Sequence, residues 1–167
     1  MTTRHPPRAT RGGRVAIRGM RPDDLGGVVQ LDEHVLSEPR HDYFAHRLAS
    51  LDANEPASHI IGLVAEERGA LVGFVMGTLT TGEFGFTEVT ALVDSIAVDP
   101  AWQRRGIGRQ LANAFVAASA ARGAQDVYTL VNWNSWDMLK FFDSVGFGLA
   151  QTVPLRKRIG ETDRKPS

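Results

Sequence analysis

Apolar positions recur along this chain of 167 residues with two periods, and each switch between them marks an element. Val15-Ala16-Ile17-Arg18 predicts a short strand over 15–18. Pro22, Asp23 and Asp24 then open a helix running toward His34. Proline is preorganised for a first turn, and aspartates there suit the helix dipole. Tyr43, Phe44, Leu48 and Leu51 fall at helical spacing and predict a second helix over 40–51. Two β-rich runs, 60–67 and 71–80, flank Arg68-Gly69-Ala70 and read as a hairpin. A long strand over 88–98 stops at Asp99-Pro100, and an alanine-rich helix covers 106–121. Gly123 suits its left-handed C-terminal cap. A strand over 127–131, a helix over 135–144 and one or two final strands within 147–159 complete the pattern. A hairpin followed by strand, helix, strand, helix, strand predicts a mixed α/β sheet.

The ends lack this patterning. Residues 1–13 carry Arg4, Arg8 and Arg11 with almost nothing to bury, so a disordered arm is expected there. Residues 160–167 read as a frayed end, which leaves one domain over 14–159. A chain of this size buries roughly 70% of the surface its unfolded form exposes, enough for a core without staples. Nineteen basic residues balance nineteen acidic ones, which argues against a dedicated nucleic-acid binder. There is no cysteine, so disulfides, thiolate metal sites and cysteine nucleophiles are excluded. No apolar run approaches the roughly 20 residues that span a bilayer, and the N-terminus has no apolar signal segment. The expectation is a cytoplasmic protein with neither membrane nor nucleic-acid partner. The histidines at 5, 34, 41, 46 and 59 show no metal-ligand spacing, so no metal is expected.

The candidate chemistry lies where the long strand ends. Val98-Asp99-Pro100 leads into a loop carrying Gln103, Arg104 and Arg105, and Gly106-Ile107-Gly108-Arg109 opens the next helix. A helix's first turn offers unpaired N–H groups and partial positive charge. Glycines admit a ligand close to that backbone, so the turn suits a phosphate or diphosphate. A strand–turn–helix joint whose glycines only relieve packing is the plainer alternative. A dinucleotide fingerprint would need glycine where Leu111 stands, and a P-loop would need Lys-Ser/Thr after Gly108, where Arg109-Gln110 stand. Neither fits, which counts against a nucleotide-binding oxidoreductase.

What remains, Gln-x-x-Gly-x-Gly at Gln103, Gly106 and Gly108 after Ile96-Ala97-Val98-Asp99-Pro100, resembles the GNAT superfamily of N-acetyltransferases. Asn134 and the run from Leu139 through Phe141, Phe142 and Gly146 to Phe147 resemble that family's Asn…Phe-Tyr-x-x-x-Gly-Phe segment. The resemblance covers about residues 14–159. It implies a mixed, partly antiparallel central sheet flanked by helices and splayed between the fourth and fifth strands. It also implies acetyl-CoA as cosubstrate and a primary amine, on a protein, peptide or small molecule, as acceptor. Backbone amides from Arg104 to Arg109 would hold the diphosphate, and the pantetheine would pair with the backbone of Ile96, Ala97 and Val98. Asn134 would contact the pantetheine, with Phe141 or Phe142 packed nearby. Dimerisation is common in the family and stays open here.

For catalysis the resemblance points to the Val98 backbone N–H as polariser of the thioester carbonyl. Asp94 is the candidate general base, against the alternative of a strand carboxylate held by polar neighbours. Glu83 and Glu88 are weaker candidates, and the glycine-rich loop 81–87 is a candidate acceptor-side flap. The family's usual tyrosine is replaced by Phe142, which has no proton to give a departing thiolate. Tyr43 and Tyr128 are the only phenols that could substitute. A non-catalytic acyl-CoA-binding module is therefore the alternative to an enzyme.

Overall fold

Two runs of β-branched and aromatic residues meet at a two-residue turn and set the middle of the sheet. Strands β2, Ile60–Glu67, and β3, Ala70–Thr81, flank Arg68 and Gly69, whose φ angles are 51° and 83°. That is the hairpin turn whose twist matches its strands. The computed structural model describes residues 14–36, 40–51, 59–81 and 87–157, and these divide between two units, Met1–Asn132 and Trp133–Ser167.

The first unit is a five-stranded sheet with two helical layers. Strand β1, Ala16–Gly19, pairs antiparallel with β2, and β3 pairs antiparallel with β4, Val89–Val98. Strand β5, Asp126–Thr129, runs parallel to β4, and helix α3, Ile107–Ala121, makes the crossover. The strand order is β1-β2-β3-β4-β5. Helices α1, Leu25–Leu36, and α2, His41–Ala49, cover one face. There Val28, Leu31, Phe44 and Leu48 pack on Val64, Phe74 and Met76. On the other face Ile107, Leu111 and Phe115 of α3 pack on Ala65, Val75, Ala91 and Val93.

Helix boundaries follow local chemistry. A 3-10 turn, Pro22–Asp24, precedes α1. Asp24 accepts from the Arg21 N–H at 2.8 Å and bonds the Arg18 guanidinium at 2.8 and 2.9 Å. Gly123 closes α3 with φ 87°. Its N–H donates to Ala120 O, and the Ala124 N–H donates to Ser119 O, both at 3.0 Å, the paired bonds of a left-handed cap.

Strand β4 carries the irregularity that shapes the site. Met76 stands opposite Ser95 and Gly77 opposite Val93, so Asp94 is an extra residue with no counterpart on β3. Such a bulge shifts the alternation of the strand by one residue. Ala91 and Val93 pack toward α3 before it; Ile96 and Val98 do so after it, while Ala97 faces α1 and α2. Asp94 and Ser95 are thereby both turned toward α2. The splay expected between β4 and β5 is present: their pairing runs from Thr90 with Asp126 to Val93 with Thr129 and stops. Beyond Thr129 the chain has no β4 neighbour to bond, so Leu130 and Val131, expected as strand, are not.

The second unit contains α4, Trp136–Ser144. Gly146, at φ 92°, and Phe147 donate to Asp143 O and Phe142 O and end it. The final strands expected within 147–159 do not form among the described residues 147–157. An alternating sequence needs a ladder partner to become a strand, and here Leu149, Val153 and Leu155 stay exposed.

Candidate functional site

Strand β4 ends in an open edge that runs straight into the start of α3. The Asp99 N–H donates to Val72 O at 2.9 Å, so Asp99 points at β3. In an antiparallel ladder the residues between bonded pairs point their N–H and C=O groups the other way. Val98, opposite Gly73, and Ile96, opposite Val75, are those residues. Their backbone groups face the side that β5 has left. Gln103 turns back on this edge, donating from Nε2 to Val98 O at 3.1 Å. It ties the loop to the strand end.

The turn after the strand is held in shape by its own backbone. Asp99 accepts from the Ala101 N–H at 2.8 Å, and its carbonyl accepts from Trp102 N–H at 2.8 Å in a 3-10 turn, Pro100–Trp102. Arg104 has φ 58° and Gly106 has φ 78°. A left-handed arginine costs about 1–2 kcal/mol, a strain that clusters at functional positions. Gly106 is the N-cap of α3 and accepts from the Gln110 N–H at 3.0 Å. No side chain caps this end, and no acidic residue lies in the first turn. The N–H groups of Ile107 and Gly108 therefore have no carbonyl within the helix to bond. Arg104, Arg105 and Arg109 are exposed around them, and the Arg105 guanidinium stacks 4.6 Å from the Trp102 ring centroid. The result is a cationic cradle of main-chain donors.

Asp94 sits in a polar cluster rather than alone. Its Oδ2 pairs with Arg47 Nη2 and accepts from the Thr78 hydroxyl at 3.1 Å, and Arg47 also donates to Thr78 Oγ1 at 2.7 Å. Arg40, the N-cap of α2, holds Asp32 at 2.8 and 2.5 Å and reaches Ser95 Oγ at 3.3 Å. The guanidinium of Arg40 is held charged by its bonds to Asp32, which outweigh its burial. Tyr43 lies between the two arginines, 5.2 and 5.6 Å from their guanidinium carbons, and meets the Phe44 ring edge-on.

The residues singled out by sequence thus divide. Ile96, Ala97, Val98, Gln103, Arg104, Arg105, Gly106, Ile107, Gly108 and Arg109 form one continuous edge and turn, with Asp94 two residues before Ile96. The side chains of Ala97 and Ile107 are core; Ile107 offers only backbone, and Ala97, in phase with Asp99, turns its backbone groups toward β3. Asn134, Phe141 and Phe142 lie in the second unit: Asn134 is exposed ahead of α4, and the Phe142 ring is buried with those of Phe141 and Phe147 at 5.1 Å. Tyr128 on β5 and Glu88 are exposed, and Glu83 with loop positions 82–86 lies outside the described residues. Arg47, Arg40 and Thr78 were missed. The available signal was the polar pair Asp94-Ser95 inside an apolar strand, which asks for partners. Among the described residues no group of acidic and histidine side chains could hold a metal ion, and no helix is long and apolar enough to cross a membrane.

A family model described as the Acetyltransferase (GNAT) family matches residues 27–147. Solved structures share the fold. An aminoglycoside acetyltransferase from an uncultured soil metagenomic sample, in complex with sisomicin, is 21% identical with TM-score 0.69, over 87% of this chain and 96% of that one. The enzyme AAC(6')-Iy in complex with the bisubstrate analog CoA-S-monomethyl-acetylneamine is 18% identical with TM-score 0.71, over 88% and 100%. A ribosomal-protein-alanine N-acetyltransferase from Brucella melitensis biovar Abortus 2308 is 21% identical with TM-score 0.69, over 88% and 100%.

Proposed function

The chain belongs to the GNAT acetyltransferase family, and from that premise we propose that it transfers the acetyl group of acetyl-CoA to a primary amine by direct attack in a ternary complex. The observation that carries this reading is the continuity of the open β4 edge with the uncapped, cationic turn. An extended pantetheine can add to Ile96 and Val98 as a strand would. Its diphosphate then meets the N–H groups at the start of α3 and the arginines around them. Asn134, Phe141 and Phe142 are proposed as further cofactor contacts on the resemblance of their segment.

The same edge apportions the chemistry. The amine nitrogen must come within about 3–3.5 Å of the acetyl carbon, with its base in hydrogen-bond reach. Carbonyl polarisation falls to the Val98 N–H and pantetheine pairing extends to Ile96. The C–N bond forms as the C–S bond breaks, the amine proton passes to Asp94 directly or through water, and coenzyme A leaves as the thiolate. A thiol is a tolerable leaving group, so Phe142 slows this step without forbidding it.

Isothermal titration with acetyl-CoA, followed by thiol release with a panel of amines, tests the proposal. An aminoglycoside and an N-terminal alanine peptide head the panel, since relatives of the same fold are named for those acceptors. Binding with thiol release supports the enzyme. Tight binding with silence across the panel supports the second reading, a non-catalytic acyl-CoA-binding module, which the phenol-free ring of Phe142 favours.

A further inference from the structure

We propose that Arg47 is a positioning residue for acetyl transfer, acting through Asp94. This inference rests on the reading above that Asp94 takes the amine proton.

The bulge turns two consecutive polar residues to one face, and α2 meets them with Arg47 and with its N-cap residue, Arg40. Arg40 reaches Ser95 and Arg47 grips Asp94. Arg40 is the N-cap of α2 and Arg47 lies in its last turn, and Tyr43, between them in the chain, packs under both guanidiniums. The geometry at Asp94 is specific. Both Arg47 and Thr78 are engaged with Oδ2, and Arg47 also bonds Thr78, so two mutually bonded groups close on one oxygen. Among the described residues Oδ1 has no partner. The Asp94 side chain keeps 17% of its surface exposed, enough to be touched from outside. Arg47 Nε is buried without a hydrogen-bond partner among the described residues, a cost that marks the arrangement as more than a convenient surface ion pair. The carboxylate is thus pinned in one orientation with one oxygen left to receive a proton. Catalytic groups held loosely lose rate steeply: a misplacement of about 1 Å can cost about 10²-fold.

A double-mutant cycle on purified protein tests this, with kcat, KM and acetyl-CoA affinity measured for each variant. R47M is expected to lower kcat by about tenfold to a hundredfold, leave the acetyl-CoA Kd within twofold and keep the melting curve cooperative. Arg47→Lys restores the charge and recovers part of kcat. In the Asp94→Asn background the same R47M change moves kcat by less than about twofold, because the group it positions is gone. Thr78→Val, which keeps the ion pair, lowers kcat by a smaller factor that also vanishes in that background, and it serves as the test if R47M does not fold. The inference is overturned if R47M costs the same factor with and without Asp94, if it acts on acetyl-CoA affinity instead of kcat, or if Asp94→Asn leaves kcat intact. If the unmodified protein transfers acetyl to no amine, the proposed function itself falls, which is a different result from turnover with an additive cycle.

Discussion

Phe115 lies so close over Gly77 that a methyl group on Gly77 would stand 2.5 Å from the ring and 2.2 Å from the carbonyl oxygen of Leu92. The glycine is opposite Val93, beside the bulge. Its missing side chain lets α3 approach the sheet where β4 changes register.

Gly77→Ala should therefore destabilise the fold by about 1–3 kcal/mol, the range for overpacking a well-filled core. Urea unfolding measures it. Phe115→Leu in the same chain frees space on the ring side only, so the double variant is expected to be more stable than the sum of the two losses. Strict additivity would show that the carbonyl of Leu92, not the ring, sets the cost.

The Asp24 carboxyl is held below its ordinary range, first by hydrogen bonds from Arg18, against the opposing effect of burial, and then by the Arg21 N–H. A carboxyl with a depressed folded-state pKa contributes stability that is fully present above its unfolded value, about 3.9. That contribution is lost as pH falls through the lower folded value. Asp24→Asn should cost about 1–3 kcal/mol at neutral pH and flatten the acid side of the stability profile below about pH 4. Melting temperature against pH, compared between the two proteins, reads both effects.

Gly106 has open space where a side chain would go but a φ of 78°, so backbone conformation alone restricts it. Gly106→Ala is expected to cost about 1–2 kcal/mol and to weaken acetyl-CoA binding at least tenfold by relaxing the N-cap. Gly106→Asn should recover most of the stability, since asparagine tolerates left-handed backbone. Calorimetric titration that found unchanged affinity in the alanine variant would remove the cradle from the binding site.

Trp102 carries the Arg105 guanidinium on its face. Cation–π stacking at an exposed site is worth about 0.5–1 kcal/mol, so Trp102→Leu should weaken acetyl-CoA binding by about twofold to fivefold. Trp102→Phe keeps a ring and should lose less. The loss should shrink in high salt, where the guanidinium contributes less to binding a diphosphate.

The signals that could be read without coordinates were local ones. The 3.6-residue spacing of Phe44 and Leu48, the turn at Arg68-Gly69, and Gly106 and Gly123 at the two ends of α3 each act within a few residues. The chain itself therefore encodes them. The run from Ile96 to Arg109 was legible for the same reason, since strand, turn and helix start are consecutive. The final strands misled because Phe147, Leu149, Val153 and Leu155 fall on one side of an extended chain, yet such spacing supplies no partner.

The sequence alone determined which segments can be strands and helices, and that a glycine-bearing, arginine-rich turn follows an apolar strand. Tertiary structure decided what that strand presents. The extra residue at Asp94 exists only in the register between β3 and β4, and the pairing of Arg47 with Asp94 joins residues 47 positions apart. A hydrogen-bond ladder and a helix docked across it fix both. Their energies depend on distances between remote segments, which no local run of side chains can specify.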